Sequence, residues 1–180
     1  EGIPNEFLDP NTTLIIYTPA IPTTHAELIY FQKNGFTIQK RSQVLGLLTQ
    51  SSKGLCIAGT HGKTTTSTMT AHLLHQSNVG CNAFLGGISK NYGTNLLLSD
   101  KSEYVVIEAD EFDRSFHWLT PYASVITATD ADHLDIYGDE AHIREAFKAF
   151  ASQVSGCVIV KHGLDITEQD TKARICTYAY

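Results

Sequence analysis

The 180-residue sequence contains no C-x-x-C pair, no cluster of lysine or arginine, and no apolar run that approaches the length of a membrane span. Each absence removes a class of function. The four cysteines, Cys56, Cys81, Cys157 and Cys176, offer neither a zinc-ribbon spacing nor a dithiol redox motif. Cys56 and Cys157 stand inside the apolar runs "LCIAG" and "GCVIV" and read as reduced packing thiols of a cytoplasmic protein. Lys and Arg number 13 against 19 Asp and Glu, a formal net charge of −6, so nucleic acid is not an expected partner. A membrane is not expected either, and the first element is expected to follow no signal peptide. The chain begins at Glu1 rather than at a methionine and reads as a piece of something longer.

What remains is an ordinary globular composition, 42% hydrophobic and 18% charged, with room for one domain or for one domain and part of another. "TTLIIYT" (residues 12–18) reads as a strand that stops at Pro19. "THAELIYFQKNG" reads as a helix with Thr24 as its N-cap and Gly35 past its end. "FTIQK" is a short strand, and "SQVLGLLTQ" a helix capped by Ser42. This strand–helix alternation predicts a parallel sheet with crossover helices. The polar joint "QSSKG" marks a domain boundary, dividing residues 1–52 from 53–180.

After the joint the alternation restarts. "LCIAG", "YVVIEAD" and "ASVITATD" are continuous apolar strands, as expected where both faces of a sheet are covered. Residues 64–76 form a predicted helix with Met69, Leu73 and Leu74 on one side. "EAHIREAFKAFASQV" repeats Ile143, Phe147 and Phe150 at helical spacing. "GCVIVK" is a further strand and "RICTYAY" a candidate last one. The fold class is α/β.

The chemistry collects at three strand ends. "GTHGKTTT" (residues 59–66) follows a buried strand and opens a helix. A helix N-terminus presents unpaired N–H groups and a partial positive charge, which suits a phosphate. Gly59 and Gly62 let the backbone curl around it, Lys63 supplies a cation for the outer phosphates, and Thr64 a hydroxyl for Mg²⁺. The loop is shorter than G-x-x-x-x-G-K-[ST], because Ile57 stands where the first glycine would be. Position alone puts His61 near the nucleotide without assigning it a role. In "YVVIEADEFDRSF", Glu108 ends a buried strand where phosphate-loop enzymes keep a metal-binding acid. Asp110 and Glu111 fit either a cation site or a solvated acidic loop, and Asp113 reads as solvated. In "TATDADHLDIYGD", His133 stands among Asp130, Asp132 and Asp135 at the same sheet edge and reads as a metal ligand. His25, His72, His75, His117, His142 and His162 read chiefly as helix-surface residues.

"GTHGKTTT", "EADEFDRSF" and "DADHLDIYGD", in this order and spacing, closely resemble the Mur ligases of bacterial cell-wall synthesis. "FLGGISKNYGTN" (residues 84–95) looks like a glycine-bearing substrate segment of that family. The resemblance implies a three-domain enzyme. Residues 1–52 look like the end of its N-terminal, Rossmann-like UDP-sugar domain, and residues 53–180 like the larger part of its central parallel-sheet ATPase domain. It implies that ATP is bound by Gly59, Thr60, His61, Gly62, Lys63, Thr64 and Thr65. It also implies one Mg²⁺ on Thr64 and Glu108, a second on Glu108 and His133, and catalytic roles for Lys63, Glu108 and His133. The implied reaction joins L-alanine to UDP-N-acetylmuramate through an acyl phosphate, and a piece of this extent is expected to be inactive alone. Three other readings stay open: a ligase that recycles a murein tripeptide onto the same sugar nucleotide, a folate-type polyglutamate ligase, against which "GGISKNYGTN" argues, and a nucleotide-binding module without ligase chemistry.

Overall fold

The computed structural model describes residues 9–112, 114–130 and 137–179. Its contacts divide the chain into two compact units, Glu1–Val44 and Leu45–Tyr180. The division falls inside a helix, eight residues before the boundary read from the polar joint.

The first unit is a strand–helix–strand motif. β1 (Leu14–Tyr17) and β2 (Thr37–Lys40) pair in parallel, with Leu14 opposite Thr37 and Tyr17 opposite Lys40. α1 (Ala26–Lys33) connects them and buries Leu28. Its N-cap is His25, one residue later than Thr24, and no side chain caps it. At the other end Gly35 takes φ +74°, a conformation that favours glycine. This turns Phe36 back so that its N–H bonds Phe31 O at 3.1 Å and its ring meets that of Phe31 edge-on.

α2 (Arg41–Ser51) starts one residue before the expected cap Ser42. Gln43 Oε1 accepts from Lys40 N at 2.8 Å, the backward half of a capping box. From Leu45 onward the helix belongs to the second unit. A Cβ on Gly46 would press on Trp118 O, and Thr49 Oγ1 accepts from Thr120 N at 3.0 Å.

The second unit is built on a seven-stranded sheet of order β5-β4-β6-β3-β7-β8-β9. Its strands are β3 (Lys53–Ala58), β4 (Asn82–Ser89), β5 (Thr94–Leu97), β6 (Tyr104–Glu108), β7 (Ala123–Ile126), β8 (Cys157–Lys161) and β9 (Arg174–Tyr178). Every pairing is parallel except β4 with β5. The β4–β5 hairpin has no counterpart in the strand pattern read from the sequence, because the Gly86–Gly87 pair interrupts the apolar alternation.

Among the described residues, helices lie on opposite faces of the sheet. α4 (Glu140–Ser152) lays Ile143, Phe147 and Phe150 on one face with Phe116, Cys56, Val105, Ile107 and Ile126. Its N-cap Asp139 accepts from His142 N at 2.9 Å. α3 (Lys63–Gln76) covers the other face, where Ala71 meets Ala83, Leu85, Leu97 and Val106. β6 thus sends Val105 and Ile107 to one core and Val106 to the other, which is why its run is continuously apolar. α3 packs through small residues: Ser67 and Ala71 are fully buried, while Met69 and Leu73 are 60% and 68% exposed. Of the expected apolar side, Met69 and Leu73 therefore face away from the core, while Leu74 packs against it.

β3 lies at the centre between β6 and β7, so the loops after these three strands converge on one edge of the sheet.

Candidate phosphate-binding site

The loop after β3 has backbone conformations that only glycine adopts freely. Gly59 takes φ +132° and Gly62 φ +82°. A Cβ on Gly59 would also run into Thr127 Oγ1 and come within 2.9 Å of Ala128 N. Gly62 is the N-cap of α3 and brings no side chain to the first N–H groups of the helix, which leaves that end open to an anion.

The segment after β7 braces this loop. Thr127 N donates to Ala58 O at 3.1 Å, and Thr60 N to Ala128 O at 3.0 Å. Asp130 N donates to Thr60 Oγ1 at 3.3 Å, so the buried Thr60 holds the loop to its neighbour. The single hydroxyl proton of Thr127 reaches either Ala58 O or His61 O. Sequence reasoning did not single out Thr127; its role follows from a register 69 residues long in the chain.

Lys63 and Thr64 open α3 and face different carboxylates. Lys63 Nζ donates to Gly59 O at 2.8 Å and to Glu111 Oε1 and Oε2 at 2.8 and 2.9 Å. Glu111 is 1% exposed. Burial pushes its carboxyl above the usual carboxylate range, and the Lys63 ammonium pulls it part of the way back. Thr64 Oγ1 donates to Glu108 Oε1 at 3.1 Å, and Gly86 N to Glu108 Oε2 at 3.0 Å. A Cβ on Gly86 would overlap the Glu108 carboxylate, so glycine is needed there for close approach. Thr64 and Glu108 together present hard oxygen donors beside the helix N-terminus, a donor set that fits Mg²⁺. Among the described residues no group of three His, Cys, Asp or Glu gathers as a further metal site.

The other acids sort by geometry. Asp110 shapes the turn after β6. Its Oδ1 accepts from Phe112 N at 3.1 Å, and its carbonyl accepts from Phe116 N and from Ser115 Oγ. His61 Nε2 lies 3.8 Å from Asp130 Oδ2, both side chains about two-thirds exposed, a pair worth little to stability. His61, Gly62, Thr66, Thr127 and Lys161 line a concavity of about 440 Å³ beside the loop. Thr64 and Thr65 border a second one, of about 320 Å³, with Thr68, Met69, Ile88 and Lys90. Of the residues read as site candidates, Gly59 through Thr65 and Glu108 come together at one sheet edge. His133, Asp132, Asp135 and Asp113 lie outside the described residues.

The comparisons with known proteins agree with this architecture. A family model described as the Mur ligase middle domain matches residues 57–179. A protein of Phocaeicola vulgatus named UDP-N-acetylmuramate–L-alanine ligase is 70% identical over 92% of this chain and 37% of its own length. A protein of the same name from Porphyromonas gingivalis is 57% identical over 91% of this chain and 36% of its own length. The chain thus spans little more than a third of the relatives it matches. Among solved structures, the UDP-N-acetylmuramate–alanine ligase of Thermotoga maritima superposes with a TM-score of 0.77 at 27% identity, over 93% of this chain and 38% of that one. A UDP-N-acetylmuramate:L-alanyl-γ-D-glutamyl-meso-diaminopimelate ligase from Neisseria shares the fold, with a TM-score of 0.76 at 22% identity over 90% of this chain and 57% of that one. The chain belongs to the Mur ligase family, and residues 57–179 are its middle domain.

Proposed function

We propose that this chain is the nucleotide-binding part of an ATP-dependent ligase that joins L-alanine to UDP-N-acetylmuramate. The phosphate half of the reading is carried by one observation: an uncapped helix N-terminus with Lys63 and the Thr64–Glu108 oxygen pair at its mouth. The acceptor half is supported by the 70% identity to a ligase of that name.

In the proposed reaction a carboxylate oxygen of the acid attacks the γ-phosphorus of ATP and ADP leaves. The amine of L-alanine then attacks the acyl carbon, inorganic phosphate leaves, and the amine gives up a proton. Phosphoryl transfer needs alignment and charge neutralisation more than covalent help. The N–H groups at the start of α3 align the phosphates, and Lys63 supplies positive charge at the outer ones. Thr64 and Glu108 would hold one Mg²⁺, and Glu108 with His133 a second. A divalent cation there neutralises phosphate oxygens, so that an anionic acid can approach them.

Two measurements test this. Calorimetry with Mg-ATP should show binding that the Lys63→Ala variant loses; equal affinity in both proteins would remove the phosphate-loop reading. With the full-length protein, ATP and UDP-N-acetylmuramate, L-alanine should outperform a murein tripeptide as acceptor. The reverse preference would favour the recycling ligase, and no product with either would favour a nucleotide module.

A further inference from the structure

Lys63 has three N–H donors and no acceptor. Each already has a protein partner: Gly59 O at 2.8 Å, Glu111 Oε1 at 2.8 Å and Glu111 Oε2 at 2.9 Å. A phosphate oxygen can reach Nζ only by taking one of these places. The Glu111 carboxylate is therefore an internal anion standing against the cation that the nucleotide needs.

Glu111 is not free to follow the lysine. Its side chain is 1% exposed. Its backbone carbonyl accepts from Tyr137 OH at 2.6 Å and from Arg114 N at 2.9 Å. Arg114 itself sits at φ +58°, with its guanidinium over the Tyr137 ring at 5.1 Å. Two hydrogen bonds on its own carbonyl thus hold the Glu111 backbone in place. Complete departure of Lys63 would strip a buried carboxylate of its ammonium, which is strongly unfavourable.

We propose that Glu111 is a positioning residue of the phosphate site, which gives up one of its two bonds to Lys63 when phosphate binds and keeps the other. The lysine is then shared between carboxylate and phosphate. This rests on the phosphate-loop reading above and adds two opposed effects to it. Competition by the carboxylate weakens binding of the nucleotide in its ground state. The retained bond fixes Nζ at the base of the loop, where it meets charge developing on the transferred group instead of following the bound phosphate.

The test uses Glu111→Gln, which keeps the shape and removes the charge, and Glu111→Asp, which keeps the charge and shortens the reach. Mg-ADP affinity is measured by calorimetry on the chain, and kcat and KM for ATP on the full-length ligase. Glu111→Gln is expected to bind Mg-ADP about tenfold more tightly and to lose at least about tenfold in kcat, with KM for ATP not rising. Glu111→Asp should return the affinity to within about twofold of the parent while kcat stays low. Weaker Mg-ADP binding in a folded Glu111→Gln protein, or no change in either quantity, would overturn the proposal. If Glu111→Gln does not fold, unchanged kcat in Glu111→Asp would overturn it alone. Failure of the parent chain to bind Mg-ADP at all would instead bring down the phosphate-loop reading together with this inference. Binding that depends on Lys63 but not on Glu111 would bring down only the inference.

Discussion

Thr64 Oγ1 at the start of α3 donates to Glu108 Oε1 at the end of β6, across 3.1 Å and 44 residues of chain. Gly86 N holds the other oxygen of the same carboxylate at 3.0 Å. Three elements thus aim one acid at the helix N-terminus. Gly86 is not among the glycines with positive φ, so alanine is compatible with its backbone and the damage is confined to the carboxylate. Gly86→Ala should weaken Mg²⁺-dependent ADP binding about tenfold or more, the usual effect of disturbing a group that orients a metal ligand. Metal-free ADP binding should stay within about twofold, because the helix N-terminus is untouched. Calorimetry with Mg²⁺ and with EDTA checks this, and equal losses in both would contradict it.

Lys63→Ala should also change how stability depends on pH. Glu111 is raised above its ordinary value by burial, and Lys63 is the chief group that lowers it again. A carboxyl with a raised folded pKa binds more protons folded than unfolded, so stability falls as pH rises from the unfolded value of about 4.3 through the folded one. Removing Lys63 lifts the folded value further, which extends that fall to higher pH and enlarges its total. The variant should lose roughly 3 kcal/mol at pH 8, the scale of stripping one partner from a buried pair, and less near pH 5. Urea denaturation across this range checks it. A loss that is independent of pH would show that Glu111 does not carry the cost.

The core of this site was legible because its determinants are local. Gly59, Gly62, Lys63 and Thr64 act through their own backbone angles and side-chain chemistry within one turn. β3, β6 and β7 were legible as apolar runs because both faces of the sheet are covered. The parts that were not legible depend on distant partners. Glu108 stands out at the end of an apolar run, but nothing in "EADEF" pairs Glu111 with Lys63 or takes it out of a solvated loop. One meets Thr64 and Gly86, the other Lys63, and the difference arises from the register of β6 beside β3. Thr127 is one threonine among several until its segment lies against the loop. The β4–β5 hairpin was hidden by the same Gly86 whose missing Cβ lets Glu108 approach.

α3 offers the sharpest contrast between pattern and packing. Met69, Leu73 and Leu74 mark an apolar side by spacing, yet only Leu74 packs against the core, and the buried contact of the helix is made by Ser67 and Ala71. Small residues there bring the helix close to β4 and β6, and its first turn carries Lys63 and Thr64 into the site. Ala71→Leu should therefore cost about 1–3 kcal/mol by overpacking a filled interface, while Leu73→Ala should stay within about 0.5 kcal/mol. Because the interface also sets the height of the loop, Ala71→Leu should weaken Mg-ADP binding even under conditions where the protein is fully folded. Leu73→Ala should leave that binding unchanged. Urea denaturation and calorimetry on the two variants check both statements, and the opposite ranking in stability would mean that α3 packs through Leu73 after all.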